Sequence, residues 1–201
     1  ADDAHLAPGG VAIGTLSFGA LVLAPASQLD YGYGAPTATN DRVRITGDLA
    51  LDGVLNVTDV GGFGEGVYRV FDYGGALTDG GLALGASPSG FDAADFIVQT
   101  AQPGQVNLVV SLGGLGLQFW DGAQTVGNGI VDGGSGTWSR ATSNWTNPTG
   151  SVNAAWSGGF AVFAGAAGTV TLAESVPVGG MQFSTDGYPI VGATGAQLQR
   201  D

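Results

Sequence analysis

The stretch Asp41-Arg-Val-Arg-Ile-Thr-Gly-Asp-Leu-Ala-Leu-Asp-Gly-Val-Leu-Asn-Val-Thr58 decides how this chain folds. Its apolar residues fall at every second position, as at Leu49/Leu51 and Leu55/Val57, which marks short half-buried strands and not helix. Asp52-Gly53 separates two such runs. The same period continues outward at Leu82/Leu84, Leu115/Leu117/Phe119, Val170/Leu172, Val176/Val178 and Tyr188/Ile190. These runs are bounded by Gly, Asp, Asn and Pro. Long windows rich in Ala, Glu and Lys, which favour helices, are missing.

The quoted stretch also carries a repeat. Thr46-Gly-Asp-Leu-Ala-Leu51 matches Phe18-Gly-Ala-Leu-Val-Leu23 before it and Asp79-Gly-Gly-Leu-Ala-Leu84 after it. Aligning Leu21, Leu49 and Leu82 gives periods of 28 and 33 residues (49 − 21 and 82 − 49). Periods of this size suit a stack of coils, each with two or three short strands and glycine at the corners. The expectation is an all-β parallel solenoid, a single segment over residues 1–201. Asp52-Gly53 is also a strong hairpin signal, so an antiparallel β-sandwich or jelly roll stands as the alternative. The solenoid is preferred because nearly every short strand ends in corner-forming residues. Gly85 to Asp95 and Gly122 to Ser143 read as longer loops, the second marking a change of repeat type over 122–143.

Composition narrows the function classes. Hydrophobic residues make up 44% of the 201, so a core can form, while charged residues make up 11% against roughly 25% in an average soluble domain. Glycine accounts for 38 residues, but interleaved Val, Leu, Ile and Phe argue for order. The absence of cysteine rules out disulfides and thiolate metal sites, and suits a protein that crosses a periplasm. The net charge is -12, and the cations are Arg42, Arg44, Arg69, Arg140 and Arg200. Scattered arginines on an acidic chain are no footprint for nucleic acid or for anionic lipid. No run of 18 apolar residues spans a bilayer. The chain begins Ala1-Asp2-Asp3 without Met or signal peptide, and reads as part of something longer.

No catalytic, cofactor or metal site is expected. His5 is the one histidine, sits near an end, and has no nucleophile elbow to serve. The aspartates mostly precede glycine, as in Asp52-Gly53, Asp79-Gly80, Asp121-Gly122, Asp132-Gly133 and Asp186-Gly187, which is turn chemistry. Arg42 and Arg44 share one strand face beside Asp41, with surface ion pairing as their expected role. Gly61-Gly-Phe-Gly-Glu-Gly66 and Gly133-Gly-Ser-Gly-Thr-Trp138 have the glycines of a calcium β-roll but lack its aspartate. Trp120, Trp138, Trp145 and Trp156 are the candidate ligand-stacking side chains, able to lie on sugar rings. The other reading is that they fill the interior or cover corners, where large rings bury much area.

Two segments resemble autotransporter passenger sequence, the secreted part of type V secretion proteins. The first is Asp41 to Thr58 with Gly61-Gly-Phe-Gly-Glu-Gly-Val-Tyr-Arg-Val-Phe-Asp-Tyr-Gly-Gly75. The second joins Gly134-Ser-Gly-Thr-Trp138, Asn144-Trp145, Trp156, Ala161 to Val170 and Val178 to Tyr188. The resemblance implies a right-handed parallel β-helix outside the Gram-negative outer membrane, serving adhesion, aggregation or fibre formation. Its partners would be further copies of itself or surface glycans. A β-helical polysaccharide-degrading enzyme and a tryptophan-based carbohydrate-binding module are the alternative functions.

Overall fold

Leu6, Leu29, Leu55 and Leu84 stand in one row across four adjacent parallel strands, each leucine opposite the next. The computed structural model that shows this row describes residues 4–112 and 116–200. It divides into two compact units. Unit 1 comprises the chain through Val98 together with Gly104–Val110; unit 2 comprises Gln99–Pro103 and the chain from Ser111 onward.

In unit 1 the first coil carries His5–Leu6 (β1), Thr15–Phe18 (β2) and Leu21–Val22 (β3). The second carries Gln28–Gly34 (β4), Arg42–Ile45 (β5) and Leu49–Leu51 (β6). The third carries Val54–Gly61 (β7), Gly66–Tyr73 (β8) and Leu77–Asp79 (β9), and Ala83–Leu84 (β10) begins a fourth. Each strand pairs in parallel with the strand three places on, giving the rows β1-β4-β7-β10, β2-β5-β8 and β3-β6-β9. Partners are 23 (5 to 28), 26 (29 to 55), 28 (49 to 77) and 29 (54 to 83) residues apart. Phe96–Gln99 (β11) and Gln105–Val110 (β12) complete the second sheet, with β12 antiparallel to β8.

Alternation then sorts the side chains. Leu29, Val43, Leu49, Leu51 and Leu55 point inward and are almost fully buried, joined by Tyr31, Tyr33 and Phe71. Each buried leucine contributes roughly 1.5–3 kcal/mol through removal from water. Polar side chains on the outside tie coils together. Asn56 donates to Asp30 Oδ1 at 2.9 Å and to Gln28 Oε1 at 3.1 Å, while its own Oδ1 accepts the Ala86 N–H at 2.9 Å. His5 Nδ1 lies 3.0 Å from Asp30 Oδ2. These bonds, His5 first and Asn56 second, hold the Asp30 carboxyl below the usual range.

The structure corrects two sequence expectations in this unit. Asp52-Gly53 is not a hairpin: β6 and β7 belong to different sheets, and Gly53 turns the corner between them at φ +98°. A Cβ on Gly53 would sit 2.6 Å from the Ser27 carbonyl oxygen. Gly53→Ala is therefore expected to destabilise unit 1 by about 1–3 kcal/mol, the usual cost of a side chain in the left-handed region, read as a lowered urea midpoint by circular dichroism. The second correction concerns the repeat. Leu49 pairs with Leu77, not Leu82.

Unit 2 mixes pairings. Its strands are Leu117–Trp120 (β13), Gly136–Trp138 (β14), Trp145–Thr146 (β15), Asn153–Ala154 (β16), Phe160–Phe163 (β17), Val170–Leu172 (β18), Val176–Val178 (β19), Gly180–Phe183 (β20), Ile190–Gly192 (β21) and Leu198–Arg200 (β22). The parallel rows are β13-β17-β20, β14-β18-β21 and β19-β22, with β17 and β20 20 residues apart (160 to 180). β15 and β16 extend the first row in antiparallel fashion. Strand β14 lies inside the stretch read from sequence as loop 122–143, and Leu115 of the expected alternation lies outside the described residues. The chain is all-β with parallel and mixed sheets. A hairpin-built antiparallel sandwich does not produce three parallel rows in each unit.

Candidate functional site

The outer face of the β2-β5-β8-β12 sheet gathers three of the five arginines. Strand alternation sends Val43 and Ile45 inward and leaves Arg42 and Arg44 outward, as their spacing predicts. In β8, Asp72 stands directly opposite Arg44. Between Val106 and Asn107 the β8·β12 register shifts. This bulge lets both Val70 and Phe71 enter the core while Arg69 comes to the outer face. Arg69 then donates through Nε to Asn107 Oδ1 at 2.7 Å and through Nη1 to Asp72 Oδ1. Arg42 Nη1 and Arg44 Nε lie 3.6 Å and 3.9 Å from Asp72 Oδ2. Burial pulls the Arg69 guanidinium below its ordinary range, against the opposing pull of Asp72. Three guanidinium groups thus share one carboxylate.

Asp41, next to Arg42 in sequence, takes no part in this cluster. It is buried, and its two oxygens accept the Gly14 and Gly32 N–H groups, each at 2.7 Å. Sequence reasoning missed Asp72 and Arg69, which reach the cluster through strand pairing and a bulge. Both arise from contacts remote in sequence.

In unit 2 the four tryptophans come together around Phe163. Ring centroids lie 4.4 Å apart for Trp145 and Trp156, 4.8 Å for Trp138 and Trp145, and 5.2 Å for Trp120 and Trp145. Trp120, Trp138 and Trp145 are wholly buried and Trp156 is 7% exposed. Trp120 donates its indole N–H to Gly134 O at 2.8 Å, and Trp156 to Pro177 O at 2.6 Å. Their faces are occupied by one another. Stacking on a sugar would need ring faces that this arrangement closes.

An open cleft of about 420 Å³ is lined by Asp121, Gln124, Asp132, Gly133, Gly134 and Ser135. Asp121 accepts the Asp132 N–H and the Asn153 side-chain amide, each at 2.8 Å. Burial, outweighing these bonds, pushes its carboxyl above the usual range. A carboxyl whose folded pKa exceeds its unfolded value binds its proton first in the native state. Stability from Asp121 therefore grows as the pH falls through the folded value toward about 3.9. Asp121→Asn is expected to flatten the pH dependence of the urea midpoint over that window. No group of three or more metal-ligating side chains occurs among the described residues, and none of their helices is long and apolar enough to cross a membrane.

Over 94% of its length, this chain of parallel strand rows and glycine corners is similar in sequence to an autotransporter. The particular relative is an adhesin, BmaC autotransporter of Brucella suis biovar 1 (strain 1330), to which the chain is 45% identical over 206 residues. The match takes in 94% of the chain and 6% of that protein's length. No family model and no solved structure matches the chain.

Proposed function

We propose that this chain is a right-handed parallel β-helix segment of an adhesive surface protein, which holds binding faces away from the cell and takes part in attachment. The 45% identity to an autotransporter adhesin carries this reading. The three-strand coils of unit 1 support it, because each coil leaves one row of outward side chains per sheet for contact with a partner. Backbone hydrogen bonds between coils and the inward leucine rows would give a stiff carrier whose length grows by about 4.8 Å per coil. Aggregation or fibre formation belongs to the same reading, since rows of parallel strands can be extended by further strands added in register.

The test is attachment. Beads coated with the folded chain are expected to adhere to cell monolayers or matrix-coated surfaces well above beads coated with the urea-unfolded chain. Equal adhesion of both preparations would remove the adhesive role. Electron microscopy that shows filaments would add the fibre role, and dispersed particles at every concentration would remove it.

A further inference from the structure

We infer that the outward face built by Arg42 and Arg44, backed by Arg69, binds an oxyanion group, carboxylate or sulfate, of an acidic polysaccharide. This deepens the adhesive reading and rests on it for the setting in which such polymers are met. The first observation is a charge imbalance. Around Asp72 three guanidinium groups meet a single carboxylate, so two positive charges remain locally unbalanced. Like charges held this close repel, and a bound anion relieves the repulsion. Here a bulge in β8 is used to bring a third arginine to the same face.

The second observation is accessibility. The side chains of Arg42 and Arg44 retain 33% and 57% of their exposure, and Arg69 is the most covered of the three. Arg69 is locked by Asn107 and Asp72, so it acts as a positioning residue. Arg42 and Arg44 keep guanidinium edges free for the fork geometry that suits carboxylate and sulfate. The third observation is the company they keep. Thr15 stands in register with Arg42 and Ser17 with Arg44, both exposed on β2, and Gln105 faces Asp72 from β12. A cation pair flanked by neutral hydroxyl and amide groups matches a sugar chain, whose charged groups alternate with hydroxyls. The net charge of -12 opposes a duplex or an anionic bilayer, whose many charges feel the whole chain. At 0.15 M salt that field is screened beyond about 8 Å, and a single oxyanion seated among the arginines escapes it.

The experiment is retention of the full chain at 0.15 M NaCl on four surfaces: a sulfated glycosaminoglycan, polygalacturonate, neutral dextran and phosphatidylserine vesicles. Retention on the first or second and not on the last two is expected, and which one holds it identifies sulfate or carboxylate as the group. Arg42→Ala/Arg44→Ala should weaken retention about tenfold or more, the loss of at least one charged contact, while circular dichroism stays unchanged. Asp72→Asn removes the competing carboxylate and should tighten it. Arg140→Ala, in unit 2, should leave it as it was. Retention on vesicles or dextran alone, no retention on either acidic glycan, or an undiminished double variant would overturn the inference. Bead adhesion that survives in the double variant, with glycan retention absent throughout, overturns the inference and leaves the adhesive reading standing. Loss of bead adhesion with glycan retention intact does the reverse.

Discussion

Replacing Trp145 with alanine is expected to destabilise unit 2 by about 3–5 kcal/mol, the range for removing a large buried aromatic ring. Trp145 is the hub of the aromatic cluster: its ring lies within 5.6 Å, centroid to centroid, of Trp120, Trp138, Trp156 and Phe163. Trp120, Trp138 and Phe163 are held by separate strands, and Trp120 and Trp156 by their own hydrogen bonds to Gly134 and Pro177. They cannot close on the space left behind, so the cavity persists. The indole nitrogen of Trp145 is buried and has no hydrogen-bond partner among the described residues. Trp145→Phe therefore loses no such bond and should cost clearly less than the alanine variant. Urea unfolding followed by tryptophan fluorescence reads this unit directly, since all four tryptophans lie in it. A shift below about 1 kcal/mol for the alanine variant, within the range of an ordinary surface change, would show that the rings do not pack as described.

Leu55→Ala is the matching change in unit 1, with an expected loss of about 2–5 kcal/mol. Leu55 is fully buried between Leu29 and Leu84, one coil to each side. Backbone hydrogen bonds fix the coil spacing at about 4.8 Å, so neither neighbour can move in to fill the gap. Position along the row then sets the cost. Leu6 and Leu84, at the ends, are partly buried, and alanine there should cost less than at Leu29 or Leu55. Urea midpoints by far-UV circular dichroism check the ordering. Equal costs at all four positions would contradict the row.

Much of this was legible in the sequence, for a definite reason. Period-two patterning reports which side of a strand is buried, and it gave Leu49, Leu51, Leu55 and Val57 correctly as inward residues. The register was legible in part. Leu21 does face Leu49, but the third copy chosen by likeness, Asp79 to Leu84, belongs to a different corner. Gly19-Ala-Leu21, Gly47-Asp-Leu49 and Gly75-Ala-Leu77 form the true series, at a constant spacing of 28. Different corners of one coil use the same glycine and aspartate chemistry, so local likeness alone cannot tell them apart. A strict period could have. The glycine of that series is needed sterically: a Cβ on Gly47 would lie 2.6 Å from the Gly19 carbonyl oxygen.

The candidate site was less legible. Alternation placed Arg42 and Arg44 together, yet their partner is Asp72, about thirty residues on and on the next coil, not the adjacent Asp41. A single inserted residue in β8 brings Arg69 to the face, and no local propensity announces a bulge. The tryptophans illustrate the same limit from the other side. Sequence marks them as large rings with two uses, and packing decides between a buried cluster and an open platform. Here they cover one another.

Coil stacking itself is tested most directly by cross-linking, which the absence of native cysteine makes clean. Val22, Ala50 and Thr78 stand opposite one another on β3, β6 and β9, all directed away from the core. Adjacent strands place such positions within disulfide reach, whereas positions two strands apart lie at roughly twice 4.8 Å, beyond the 7 Å or so that a disulfide spans. On mild oxidation, Val22→Cys/Ala50→Cys and Ala50→Cys/Thr78→Cys should each close an intramolecular bond, and Val22→Cys/Thr78→Cys should stay reduced. Closure of the Val22/Thr78 pair with failure of the other two would mean that the coils do not lie in this order.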